Sequence, residues 1–246
     1  MKEAFGHTGL FSMGCTVSDI NKDGYADVLT TDMLPEDMKA LKSTVNDEAS
    51  DVYNLRVKNG FHYQYSRNCL QLNLARGAKF ADIGLYAGIS ATDWTWSPLI
   101  QDFDMDGIKD IFFSNGIKKR LTDLDYLKYL AQPYVAKVGA DRRYDKEKID
   151  MMPDGRVPNY LFKGRPDVKF SDVSAFNDMK DLSCSSGAVA VDLDNDGDLE
   201  IVTNNMNEPA FIYKNLSRER ASENKNFIIY SVKYSGNNKA GIGTKF

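Results

Sequence analysis

The sequence predicts an all-β chain, and three observations predict it. First, one nine-residue pattern, Asp-x-(Asp/Asn)-x-Asp-Gly-x-x-(Asp/Glu), occurs three times, at 19–27 (DINKDGYAD), 102–110 (DFDMDGIKD) and 192–200 (DLDNDGDLE). Second, each copy lies between strand-like segments: 11–18, 94–101 and 186–191 before it, Val28-Leu29, Ile111-Phe112-Phe113 and Ile201-Val202 after it. Third, more strand signals follow in the same order, at 68–74, 159–164 and 209–215, then at 79–83 and 169–173 in the first two copies. About four short antiparallel strands per copy make one propeller blade. The chain therefore reads as a partial β-propeller of about three four-stranded blades, with metal-binding hairpin loops and two helical insertions.

The first blade spans 1–32 and 68–92, the second 93–116 and 159–176, and the third 177–225. A small residue stands five positions before each first Asp: Gly14, Ser97 and Gly187. The insertion at 33–67 carries Pro35 at an expected helix start, then Met38, Leu41 and Val45 at helical spacing. The insertion at 117–158 carries Thr122 as an expected N-cap, apolar Leu124, Leu127 and Leu130, and Pro133 as a stop.

The loops carry the chemistry. Oxygen side chains at positions 1, 3 and 5, a turn-making Gly at 6 and a carboxylate at 9 suit a hard cation that prefers six to eight oxygens, as calcium does. The expected side-chain ligands are Asp19, Asn21, Asp23 and Asp27 in the first loop. They are Asp102, Asp104, Asp106 and Asp110 in the second, and Asp192, Asp194, Asp196 and Glu200 in the third. Position 7 (Tyr25, Ile108, Asp198) is expected to lend a backbone carbonyl, with Asp198 adding charge nearby. An EF-hand is excluded, because position 12 is Thr30, Phe113 and Thr203, none of them a carboxylate. Gly24, Gly107 and Gly197 are expected at backbone angles that a Cβ would hinder. Ligand charge alone predicts that the first loop, with Asn21 in place of a carboxylate, releases its ion first.

These loops and the strands around them resemble the FG-GAP/VCBS repeats of integrin-α-type β-propellers. The run 5–14 (FGHTGLFSMG), the segment 32–37 (DMLPED) and the stretch 93–96 (DWTW) are similar to large VCBS-repeat surface proteins of Bacteroidetes-type bacteria. The tail 226–246 resembles the opening of an ASPIC/UnbV domain. Relatives of this kind have about seven blades, so the resemblance implies further blades in a longer parent chain. It implies an extracellular or bacterial cell-surface protein that mediates adhesion or binds a glycan or protein ligand. Residues 1–4 show no apolar signal region, and no stretch is long enough for a membrane span.

Charge and the rarer residues add less. The formal charge is −4, but the loops hold twelve of the 35 acidic residues, and three divalent ions would bring the chain to +2. Arg142, Arg143, Lys146 and Lys148 read as a solvated basic stretch, with a polyanion contact as the alternative. No nucleic-acid module is evident. Cys15, Cys69 and Cys184 match neither a zinc site nor a disulfide framework; Cys15 and Cys184 are expected as small buried side chains. His7 and His62 are expected in structural or surface roles, and no Ser/His/Asp or Cys/His arrangement emerges. A non-enzymatic role follows, with a calcium-dependent propeller polysaccharide lyase as the alternative. Trp94 and Trp96, two apart on a strand, are expected on one side of it, either as inter-blade packing or as a sugar-stacking pair. Asn215-Leu216-Ser217 forms a glycosylation sequon.

Overall fold

Alternating and doubly apolar strands set the architecture. In the computed structural model, which describes residues 3–44, 50–74, 76–132, 142–220, 227–228, 230–233 and 236–241, strand outweighs helix, 32 % against 17 %. In chain order the strands are β1 (Thr8–Gly9), β2 (Cys15–Ser18), β3 (Asp27–Thr30), β4 (Met33–Leu34) and β5 (Gln64–Tyr65). Then come β6 (Cys69–Asn73), β7 (Phe80–Asp82), β8 (Asp93–Gln101), β9 (Asp110–Asn115) and β10 (Tyr160–Gly164). The last are β11 (Phe170–Asp172), β12 (Ser185–Val191), β13 (Glu200–Asn205) and β14 (Phe211–Tyr213).

Three antiparallel meanders result. The first is β2-β3-β6-β7, the second β8-β9-β10-β11, and the third β12-β13-β14. In each, an acidic loop joins the first strand to the second. β4 leaves the first meander and pairs with β8 of the second, Met33 opposite Trp94. β1 and β5 form a separate parallel ribbon.

The core lies between consecutive sheets. Ile20, Leu29, Leu70, Ile89, Ile111, Phe113 and Phe162 fill the space between the first and second. Phe103, Phe112, Met179 and Ile201 fill that between the second and third. β9 is buried at every position, its run Ile111-Phe112-Phe113 feeding both cores by period-2 alternation. The outer sheets each keep a wet face, with Val17 and Val189 exposed.

Buried asparagines staple each sheet to the next. Asn68, one residue before β6, accepts the Asp32 N–H (2.9 Å) and donates to Thr92 Oγ1 (2.6 Å), just ahead of β8. Asn159 repeats this before β10, accepting the Asn115 N–H (2.8 Å) and donating to Ser185 Oγ (3.0 Å) at the start of β12. Backbones also meet closely here. A Cβ on Gly14 would overlap the Trp96 carbonyl, and one on Gly116, at φ +103°, would overlap that of Ser183. A single added methyl group would push these sheets apart.

Several expectations need correcting. A β-bulge between Thr95 and Ser97 inserts Trp96 as an extra residue, and the alternation of burial breaks after it, between Trp96 and Ser97. Both indoles are half-buried, and Trp96 Nε1 donates to the Gly116 carbonyl (2.8 Å). Cys15 is exposed because it shares the open face of β2 with Val17, whereas Cys69 and Cys184 are buried.

In the first insertion a helix at Met38–Ser43 is capped by Asp37, and a second runs over Ser50–Lys58. No residue of either is buried, so Met38 and Leu41 do not form a core face. Val45 lies outside the described residues. In the second insertion the N-cap of the helix Leu124–Leu130 is Asp123 rather than Thr122, because the Asp123 carboxylate takes the Tyr126 N–H (2.9 Å). Its buried side chain is Tyr126, not one of the three leucines. Pro133 lies outside the described residues. A further helix, Arg142–Met151, carries Lys146 on the exterior and a half-buried Lys148; the side chains of Arg142 and Arg143 are not described. The tail expected at 226–246 is described only in part and contains no strand among its described residues. No helix among the described residues is long and apolar enough to cross a membrane.

Candidate cation sites

Three hairpin loops of different sequence adopt one backbone. Position 4 is left-handed in each, at Lys22 (φ +59°), Met105 (+56°) and Asn195 (+61°). Position 6 has positive φ in each, at Gly24 (+87°), Gly107 (+87°) and Gly197 (+96°). Glycine is needed at position 6 for that angle, and at Gly197 also for space, since a Cβ would overlap the Phe227 ring.

Side-chain oxygens organise the turn. The position-1 carboxylate accepts the Gly N–H at position 6, Gly24 to Asp19 at 2.8 Å, Gly107 to Asp102 at 2.9 Å and Gly197 to Asp192 at 3.2 Å. The position-5 carboxylate accepts the position-7 N–H, Tyr25 to Asp23 and Ile108 to Asp106 both at 2.8 Å, and Asp198 to Asp196 at 3.1 Å. In the first two loops the position-5 N–H also returns to position 1, at 3.0 and 3.1 Å. The third loop lacks that bond, and Asp192 Oδ1 is buried with no hydrogen-bond partner.

Position 9 does something the motif did not announce. Asp27, Asp110 and Glu200 are nearly or fully buried, at 0, 3 and 3 % exposure. One oxygen of each accepts the position-2 N–H, from Ile20 (2.9 Å), Phe103 (3.0 Å) and Leu193 (2.8 Å). The other accepts an N–H from the third strand or its end, from Asn73 (2.8 Å), Gly164 (2.8 Å) and Asn215 (3.4 Å). The carboxylate thus ties loop, second strand and third strand together. The signal in the sequence was the placement of that acid at the first residue of an apolar strand, where an unpartnered charge would be costly.

Burial also shows in the electrostatics. Desolvation pushes the Asp110 carboxyl up to about 6 against the opposing pull of the Gly164 N–H, and it raises Asp27 likewise. Asp198, 1 % exposed, is pushed up to about 6 by burial; one oxygen accepts the Arg218 N–H (3.2 Å) and the other is buried without a partner. Acidic groups packed in this way favour a nearby positive charge.

Three carboxylates converge at Asp102, Asp104 and Asp110, and three at Asp192, Asp194 and Glu200, each offering an oxygen within 4.8 Å of the others. Asp196 and Asp198 converge instead with Glu219, which lies outside the nine-residue pattern. Asp19, Asp23 and Asp27 form no such cluster among the described residues, in keeping with the amide at Asn21. The donor set is all hard oxygen, and in the third loop buried oxygens lack any partner. Both properties fit a hard divalent cation better than a softer metal.

Both histidines have partners. His7 Nε2 and Arg67 both lie 2.9 Å from the buried Asp82 carboxylate, and His62 Nε2 is 2.8 Å from the Phe5 carbonyl. Burial lifts the Cys69 thiol to about 12, which leaves it unreactive. The amide of Asn215 donates to Phe103 O (2.7 Å) and Leu199 O (3.1 Å), so the sequon asparagine is spent on packing the third sheet against the second loop. Between the second and third sheets lies a groove of about 910 Å³, lined among others by Asp104, Lys163, Phe176 and Lys214. Compared with known proteins, the chain matches no family model and no curated protein.

Proposed function

We propose that this chain is a calcium-binding, non-enzymatic segment of a β-propeller, built from FG-GAP/VCBS-type blades and belonging to an extracellular or cell-surface protein. The observation that carries the reading is the common geometry of the three loops. Sequences that share only the oxygen-bearing positions and the glycine arrive at the same left-handed positions and the same bonds to positions 1, 5 and 9. The first strands β2, β8 and β12 pack in series, which supports reading the three meanders as consecutive blades. The role of the ions is to rigidify the hairpins, and the task of the parent is recognition of a glycan or protein.

Neither lysine beside the loops is poised as a base. A polysaccharide lyase needs a Lys or Arg poised to take a proton, and so held low in pKa. Lys163 and Lys214 are instead held above the ordinary lysine range by hydrogen bonds to Asp104 and Asp194. The test is thermal unfolding of the full chain in millimolar calcium and in EGTA. A calcium-dependent rise in melting temperature that magnesium reproduces only weakly is expected; identical melting in the two buffers would refute the reading.

A further inference from the structure

The strand facing each loop carries a residue opposite position 9. Continuing the pairing of Leu70 with Leu29, Phe162 with Ile111 and Tyr213 with Ile201 places Leu72, Lys163 and Lys214 opposite Asp27, Asp110 and Glu200. The lysines reach into the loops. Lys163 Nζ pairs with Asp104 and lies 3.0 Å from Asp106 Oδ2, so it touches positions 3 and 5 of the second loop. Lys214 Nζ lies 3.2 Å from Asp194 Oδ2, position 3 of the third, and 3.4 Å from Glu219 Oε1. In the first loop position 3 is the neutral Asn21, and the facing residue is Leu72, packed on the core. Carboxylate and lysine occur together, and amide and leucine occur together.

We propose that Lys163 and Lys214 are built-in counter-ions that set the calcium affinity of the second and third loops. Resting on the calcium reading, the inference concerns how that site is tuned. Without metal, each ammonium neutralises the carboxylate at position 3 and holds the loop closed. A divalent ion held by the same carboxylates would meet that ammonium's charge and be opposed by it. A unit charge at about 5 Å from a divalent ion, in a water-like dielectric, changes affinity by roughly tenfold. Each lysine therefore offsets its extra carboxylate. Counted over the ligand side chains and the facing strand residue alone, the first and second loops carry equal charge, three carboxylates against four less one lysine. Charge counted over the ligands alone predicted that the first loop releases its ion first; counting Lys163 brings the two loops level.

The experiment uses the full chain as wild type, Lys163→Met, Lys214→Met and the double variant, with methionine keeping the stem and removing the charge. Calcium binding is followed by titration calorimetry at low salt, and melting is followed in EGTA. One site in each single variant, and two in the double, should bind about tenfold tighter, with the first loop unchanged and the gain shrinking as salt rises. Melting in EGTA should fall in each variant. The reciprocal change should work too: Asn21→Asp tightens the first loop, and adding Leu72→Lys cancels the gain. If the wild type binds calcium and the lysine variants bind it equally or more weakly, the counter-ion proposal is overturned and the calcium reading stands. A wild type that binds no calcium overturns both.

Discussion

In the first loop, Asp19 holds the N–H groups of Asp23 and Gly24, Asp23 holds that of Tyr25, and buried Asp27 bridges Ile20 to Asn73. In the second loop, Asp102, Asp106 and Asp110 make the same bonds to Asp106, Gly107, Ile108, Phe103 and Gly164. What differs is charge. Asn21 has become Asp104 and Leu72 has become Lys163, while the backbone has not moved to another conformation. The difference separates two jobs that the motif merges. Positions 1 and 9 build the hairpin through backbone hydrogen bonds, and position 3 together with the facing strand residue sets the charge that a cation meets. The third loop strains this division: its Asp192 Oδ1 and Asp198 Oδ1 are buried and unbonded, so it has the most to gain from an ion.

The largest effect should come from breaking the shared part. Asp27→Ala or Asp110→Ala leaves two inward-facing N–H groups without a partner, at about 1–3 kcal/mol each. We expect a loss of about 4 kcal/mol in urea unfolding, alike in both loops and present in EGTA as well as in calcium. A loss seen only in calcium would show that position 9 is a ligand and nothing more. Next in size is a contact inside the second sheet, between β8 and the end of β9. Trp96→Ala removes a half-buried indole and its bond to Gly116, and should cost about 3 kcal/mol. Unchanged melting with loss of binding on a glycan array would instead make Trp96 part of a ligand platform.

Much of this was legible in the residues. The loops, their glycines and the flanking strands follow from the pattern Asp-x-Asp-x-Asp-Gly and from the apolar runs behind it, because backbone angle and burial are local demands. The run Ile111-Phe112-Phe113 was legible as a strand, while its burial at every position depends on a sheet on each side. Non-local features were not legible. The bulge at Trp96 depends on pairing with β9, and the exposure of Cys15 depends on which face of β2 the neighbouring sheet covers. Lys163 looked like an ordinary strand residue, since its partners Asp104 and Asp106 lie far away in sequence. The helix start moved from Thr122 to Asp123 because a carboxylate one residue later reached the free N–H.

A third, smaller effect follows from pH and sharpens the comparison of metal-free with loaded loops. Asp110 and Asp198 carry folded-state values near 6, above the ordinary 3.8. Their contribution to stability is therefore fully present below about pH 3.8 and is lost as pH rises through about 6. In EGTA these two groups should make the chain lose stability between pH 4 and 6 (both figures approximate). Calcium should remove that loss, so the gap in melting temperature between calcium and EGTA should widen from pH 5 to pH 7. A gap that narrows over this range would contradict the burial of these carboxylates. The smallest effect is at an exposed ligand. Asp23→Asn should change stability in EGTA by no more than about 0.5 kcal/mol, yet abolish one calcium site.

The most direct test of the whole account is to count ions. Native mass spectrometry of the full chain in calcium acetate should show three bound calcium ions, falling to two in each of Asp19→Asn, Asp102→Asn and Asp192→Asn and to none in the triple variant. A wild-type chain that stays metal-free, or a triple variant that keeps its calcium, would contradict the assignment of these loops as cation sites.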